Sequence, residues 1–215
     1  MMFRDRIDAG RRLAHALGRF RDQQPIVLGL PRGGVVVAGE IAAALGAPLD
    51  VLVVRKLGAP GAEEFAIGAI APGATLLNRE LVLRLGISRD YLMRIISRET
   101  EELRRREEVY RNGSPAPDVR GRTVILVDDG LATGATAQAA IESLRRQQPR
   151  RIVFAAPVCS PEGAEALRQV ADEVECLLCP RDLRAVGEWY EDFSPTSDAQ
   201  VIQCLGSARS MRVSA

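Results

Sequence analysis

Short strands that are apolar at every position alternate with helices along most of this chain, and few folds accept that alternation. A strand apolar on both faces must be covered on both, which a parallel sheet sandwiched between crossover helices achieves. Ile26 to Leu30 reads as such a strand, followed by a glycine turn, a helix from Val35 to Leu45 that stops at Gly46, and a strand from Val51 to Arg55. The pattern resumes with a strand Thr123 to Val127, a Gly/Thr turn, a helix Ala135 to Gln147, a strand Ile152 to Val158, a helix Pro161 to Val170 and a buried strand Val174 to Cys179. In the helix from Ala135, residues Ala137, Ala140, Ile141 and Leu144 form one stripe while Glu142, Arg145 and Arg146 point away. The expected class is α/β, with an open, doubly wound parallel sheet.

Residues 56 to 118 interrupt the alternation. Lys56 to Glu64 combines two glycines, a proline and small side chains, which predicts a mobile lid, and Phe65 to Ala71 with Thr75 to Leu77 flank Pro72-Gly73 as a hairpin. Ser88 to Arg111 predicts a long helix with Leu92, Ile96, Leu103 and Tyr110 inward and the Arg/Glu run from Arg98 to Glu108 outward, as a solvated face or a subunit contact. Ahead of the sheet, Ile7, Leu13, Leu17 and Phe20 give an amphipathic helix ending before Gln23-Gln24-Pro25. The expected organisation is one domain over 1–206, with its core at 25–179, a lid and insertion at 56–118, a carboxy-terminal hood at 180–206 and a frayed tail over 207–215.

Charge and composition exclude several functions. Twenty-nine Lys and Arg against 28 Asp and Glu leave a net charge of +1, so no whole-chain field draws in nucleic acid or anionic lipid. The longest apolar runs are far shorter than the roughly 20 residues of a bilayer span. The charged amino end (Arg4, Asp5, Arg6, Asp8) lacks the apolar stretch of a signal peptide, so a cytoplasmic location is expected. All four cysteines are then expected to be reduced. Cys176 and Cys179 alone have a motif spacing, but residues three apart on a strand face opposite sides and cannot share a metal. His15 is the only histidine, which excludes multi-His metal sites.

The most informative stretch is Val124-Ile-Leu-Val-Asp-Asp-Gly-Leu-Ala-Thr-Gly-Ala-Thr136, a strand ending in two carboxylates and then a glycine- and threonine-rich turn that opens a helix. Helix N-terminal amides and the hydroxyls of Thr133 and Thr136 make a pocket for a phosphate monoester. Asp128 and Asp129 would repel that phosphate unless they faced sugar hydroxyls or a hydrated divalent cation. The implied ligand is a sugar phosphate with exposed diols. No lysine follows the turn as in GxxxxGK[ST], and no GxGxxG follows a strand, so the common nucleotide folds fall away.

Val124 to Thr136 resembles the phosphoribosyl pyrophosphate (PRPP) motif of type I phosphoribosyltransferases, and the resemblance spans about residues 25 to 193. Gly29 to Gly34 resembles the pyrophosphate loop of that family, implying that Arg32, Gly33 and Gly34 meet a diphosphate; the alternative is a tight turn with Arg32 facing water. Ala132, Thr133, Gly134, Ala135 and Thr136 would hold the 5′-phosphate, and Asp128 and Asp129 the ribose diol and, through water or the ribose hydroxyls, Mg²⁺. The Lys56 lid resembles the flexible loop that closes over PRPP. Pro180 to Phe193 is similar to the segment covering the base in purine-type members, with Val186, Trp189, Tyr190 and Asp192 toward the acceptor; packing of a hood onto the sheet is the alternative for the aromatic pair.

The departures bear on the acceptor. Ala132 stands where several 6-oxopurine enzymes carry an acidic residue, and no lysine ends the strand Ile152 to Val158, which puts hypoxanthine, guanine or xanthine in doubt. Glu63 or Glu64 on the lid would then supply the acid or base, or would only keep an exposed loop soluble. The resemblance implies a Mg²⁺-dependent transfer from PRPP to a small acceptor such as a nucleobase, with release of pyrophosphate, assisted by Asp128, Asp129, Arg32 and Lys56, in a homodimer. A PRPP-sensing regulator and a hydrolase or phosphorylase acting on a ribose phosphate remain the alternatives.

Overall fold

Along each central strand of the computed structural model, neighbouring residues bury on opposite faces, which is why the sheet is covered on both. Residues 2–213 are described. Five strands, β1 (Ile26–Gly29), β2 (Leu49–Val51), β6 (Thr123–Val127), β7 (Arg151–Val158) and β8 (Glu173–Leu178), form a parallel sheet in the order β2-β1-β6-β7-β8. Val27, Ile125 and Val153 enter one core with α1 (Arg6–Ala16), α2 (Gly33–Leu45) and α7 (Asp198–Val213), while Leu28, Leu126 and Phe154 enter the other with α5 (Ala135–Arg146) and α6 (Pro161–Arg168). The doubly wound α/β sheet expected from the sequence is present. The stripe Ala137, Ala140, Ile141 and Leu144 is buried as expected.

The inserted region builds a second, antiparallel sheet from β3 (Arg55–Ala59), β4 (Ala62–Ala71) and β5 (Ala74–Leu77), followed by α3 (Arg79–Arg84) and α4 (Arg89–Arg111). The hairpin around Pro72-Gly73 lies where the sequence places it, and Ser143 Oγ of α5 donates to Pro72 O at 2.5 Å. The Lys56 to Glu64 segment differs from the expected lid. It is folded as β3, a turn at Gly61 and the start of β4, with Lys56 opposite Ala69 and Leu57 opposite Gly68. Leu57 and Ile67 anchor this hairpin in the core, and Tyr91 of α4 donates to Gly58 O at 2.9 Å. Small side chains and glycines here serve close strand packing: a Cβ on Gly58 would meet the backbone of Glu63.

Five further expectations are corrected. The apolar run Val51 to Arg55 splits, with Val51 closing β2 and Arg55 opening β3. Strand β8 is half-buried throughout because it is the sheet's edge. Residues 207–213 continue α7 instead of fraying, held by Val201 and Leu205 in the core and by Arg209 donating to Arg111 O at 2.8 Å. Cys159 and Cys176 form a disulfide between the end of β7 and β8, with Cα atoms 6.2 Å apart, so they are not free thiols; Cys179 and Cys204 are. In α4, Glu99 is buried and receives Arg55 Nε at 2.8 Å, an exception to the outward charged face. Among the described residues no helix is long and apolar enough to cross a membrane.

Candidate functional site

Strands β1 and β6 lie side by side, yet the chain leaving β1 returns at β2 and the chain leaving β6 returns at β7. Their carboxyl ends therefore border the crevice where connections diverge, the usual ligand position of open α/β sheets. Two turns flank it: Pro31 to Gly33, with a cis peptide between Pro31 and Arg32, leads into α2, and Asp128 to Gly134 leads into α5. Gly34 lies against β6 so closely that a Cβ would stand 2.7 Å from Val127 O and 2.9 Å from Asp128 Cα.

The two helices entering the crevice differ from the rest at their first turn. Helices α1, α3, α4 and α6 each begin with a side chain, Asp5, Asn78, Ser88 or Ser160, that accepts from a first-turn amide. Helices α2 and α5 begin without one. The first amides of a helix have no intrahelical acceptor and carry the positive end of the dipole, so these termini suit anions.

The loop before α5 is tied down from below. Leu131 is buried and exchanges backbone bonds with the end of β7: its N–H donates to Val158 O at 2.8 Å and its carbonyl accepts from Ser160 N at 2.7 Å. Ser160 Oγ donates to Ala132 O at 2.6 Å and accepts from Gly163 N at 2.9 Å, so one hydroxyl caps α6 and fixes the turn. Gly134 has φ +79°, which lets the chain turn into α5 without side-chain strain. Ala132 and Thr133 are exposed, and Ala135 and Thr136 half-exposed, on this fixed loop.

Above the strand end, Asp128 Oδ1 accepts from Asp129 N at 2.9 Å, and Asp129 Oδ2 accepts from Arg6 Nε at 2.7 Å. Burial, and then the neighbouring Asp129 carboxylate, push the Asp128 carboxyl well above its ordinary pKa. Gly33 adjoins the Arg6–Asp129 pair; a Cβ there would collide with the Asp129 carboxylate and stand 2.6 Å from Arg6 Nε. Arg32 is half exposed, with Nη1 3.9 Å from Asp198 Oδ1, which also accepts from Tyr110 Oη at 2.7 Å. Asp128, Asp129, Arg32, Gly33, Gly34 and the 132–136 turn are thus brought to one crevice. Among the described residues no cluster of three His, Cys, Asp or Glu side chains exists that could cage a metal. Two adjacent carboxylates do suit a cation that shares its shell with ligand oxygens and water.

Other sequence candidates lie differently. Lys56 is exposed on β3. Glu63 is 72% exposed, and its partner is Arg98 Nη1 of α4 at 3.4 Å, so it faces α4. The Glu64 side chain is outside the described residues. Val186 packs on the loop, where a Cβ on Gly130 would strike it. Trp189 is half-buried beside a cavity of about 400 Å³ that Met2, Asp182, Arg184 and Glu188 also line. Tyr190 does not offer an open stacking face: it is 4% exposed, lies between Phe3 and Phe193 at ring distances of 5.4 and 4.9 Å, and donates to Asp129 O at 2.6 Å. Asp192 is occupied by Ser194, whose hydroxyl and amide donate to it and lower its pKa. The site roles of Arg6 and Asp198 were not read from the sequence, because their partners Asp129 and Tyr110 are distant in the chain and no motif marks them.

The chain is also similar in sequence and fold to known proteins. The sequence profile of the phosphoribosyl transferase domain family matches residues 4–192. A Mycobacterium tuberculosis protein, provisionally named a phosphoribosyl transferase, is 43% identical over 208 residues, or 96% of this chain and 47% of its own length. The chain thus spans about half the length of that relative. A uracil phosphoribosyltransferase of Staphylococcus haemolyticus is 37% identical over 65 residues, covering 30% of this chain and 31% of that protein. The crystal structure of a Thermus thermophilus protein, TT1426, superposes with a TM-score of 0.81 at 48% identity, covering 95% of this chain and 98% of the other.

Proposed function

Because the chain belongs to the phosphoribosyl transferase domain family, we propose that its crevice binds PRPP and passes the 5-phosphoribosyl group to a small nitrogenous acceptor, with release of pyrophosphate. The carrying observation is the pair of helix N-termini without side-chain caps on either side of Asp128 and Asp129. PRPP has the matching layout: a phosphate and a diphosphate separated by a ribose diol. The amides of 132–136 with Thr133 and Thr136 hold the 5′-phosphate, Arg32 with the Gly33 and Gly34 amides holds the diphosphate, and Asp128 and Asp129 face the ribose hydroxyls.

The two carboxylates and the diphosphate oxygens suit Mg²⁺, which takes one or two carboxylates plus substrate phosphates and, when bound, neutralises the leaving diphosphate. The chain's own contribution is orientation and charge. As the bond between ribose C1 and the diphosphate oxygen breaks, positive charge grows on the ring and negative charge on the departing oxygen. Arg32 meets the second, and the fixed loops keep the ribose in line for the acceptor nitrogen. No side chain needs to attack the sugar. Lys56 adds charge if its hairpin approaches the site.

The acceptor enters beside Val186 and Trp189. With Ala132 in the loop and no lysine at the end of β7, the site lacks the groups that would favour a 6-oxopurine. Pyrophosphate release from PRPP, measured with Mg²⁺ across nucleobases and simple amines, tests the proposal. Release that requires one acceptor supports transfer, acceptor-independent release would make the protein a hydrolase, and PRPP binding without release would make it a sensor.

A further inference from the structure

Resting on that reading of the crevice, we propose that Arg6 is a positioning residue of the site, acting through Asp129. Arg6 comes from the first turn of α1, 123 residues away in sequence, and its side chain is only 11% exposed against 18% for Asp129. Its guanidinium is held on three sides. Nε donates to Asp129 Oδ2 at 2.7 Å, Nη1 donates to Ser194 O at 2.8 Å, and the plane lies over the Phe193 ring, 3.9 Å from its centroid.

The chain around Arg6 is anchored to the same carboxy-terminal segment. Phe3 N donates to Trp189 O at 2.9 Å, Glu191 N donates to Phe3 O at 2.8 Å, and Asp192 N donates to Arg4 O at 2.9 Å. Tyr190 then donates to the Asp129 carbonyl at 2.6 Å. Asp129 is therefore gripped twice, by its carboxylate from α1 and by its backbone from the hood. A planar, forked cation can satisfy a carboxylate, a carbonyl and a ring face together, and a lysine cannot do so in the same plane.

Two consequences follow for ligand binding. Only one Asp129 oxygen is engaged by Arg6, which leaves the other for a ribose hydroxyl or a hydrated cation. Arg6 also offsets one of two neighbouring negative charges where a polyanionic ligand must enter, so its loss leaves Asp129 both unaligned and uncompensated.

The test is calorimetric titration of PRPP with excess Mg²⁺ into the wild-type chain and the variants Arg6→Gln, Arg6→Lys, Asp129→Asn and Arg6→Gln/Asp129→Asn, each checked for folding by its melting curve. Arg6→Gln is expected to bind about tenfold or more weakly, with Arg6→Lys between it and the wild type. The double variant is expected to bind within about twofold of Asp129→Asn, since Arg6 acts through that carboxylate. Wild-type affinity in folded Arg6→Gln, or losses that multiply in the double variant, would overturn the inference. If Arg6→Gln does not fold, wild-type affinity in Arg6→Lys overturns it instead. Absence of PRPP binding by the wild-type chain would overturn the reading of the crevice itself, before any variant is compared.

Discussion

Replacing Asp128 by asparagine is expected to make the free protein more stable while weakening its hold on PRPP. Asp128 follows β6 directly, its Oδ1 accepts from Asp129 N at 2.9 Å, and burial with the adjacent carboxylate raises its pKa. The folded chain therefore keeps the Asp128 proton to higher pH than the unfolded chain does. The stabilising contribution of this group is fully present below the unfolded value near 3.8 and is lost as pH rises through the folded value. Between pH 4.5 and pH 8 the folded state therefore loses stability relative to the unfolded chain, whose Asp128 carboxyl ionises near 3.8. Each pH unit of separation between the two values is worth about 1.4 kcal/mol, or about 3–5 °C in Tm for a chain of this size. Asparagine keeps the acceptor for Asp129 N and removes the charge. Melting curves of both proteins at pH 4.5 and pH 8 are expected to show a gain for Asp128→Asn that is larger at pH 8, and PRPP titrations a weaker complex. A variant that melts lower than wild type at pH 8, or whose gain shrinks from pH 4.5 to pH 8, would show that Asp128 does not destabilise the fold when ionised.

Four further outcomes are expected. Gly34→Ala forces a methyl against Val127 O and Asp128 Cα, both backbone, and should cost about 1–3 kcal/mol, read as a lower Tm; Gly33→Ala should chiefly weaken PRPP binding, because its methyl displaces the Asp129 carboxylate. Arg32→Ala should weaken pyrophosphate binding several-fold and leave ribose 5-phosphate affinity unchanged in calorimetry, if the uncapped α5 turn takes the other phosphate as proposed. Cys159→Ser should lower stability by about 2–4 kcal/mol in denaturant titrations, and a reducing agent should bring the wild type to the same level, because the disulfide closes a loop with a sequence separation of 17.

The sheet was legible in the sequence because burial on both faces leaves a local trace: unbroken apolar runs such as Val124 to Val127. The Asp pair and the two glycine turns were legible for a related reason, since each sits where its own strand hands over to its own helix. What escaped the sequence depends on distant partners. Arg6 looked like one charge among several at the amino end, and only the fold brings it to Asp129. For Tyr190 the sequence left stacking and hood packing both open, because nothing local says that Phe3 covers it. The glycines of Lys56 to Glu64 read as a loop, yet the segment pairs as β3 and β4, with Gly58 allowing their close approach. Cys159 and Cys176 pair across neighbouring strands, a juxtaposition that the spacing of Cys176 and Cys179 obscured.

If two helix N-termini and the Asp pair form one PRPP site, weakening one phosphate pocket weakens binding of the whole ligand. Calorimetric titration of PRPP with Mg²⁺ into the wild-type chain and into Thr133→Ala/Thr136→Ala tests it most directly. Saturable one-to-one binding to the wild type, weakened at least several-fold in the double variant, is the expected result. No binding to the wild type, or equal binding to both proteins, would contradict the claim.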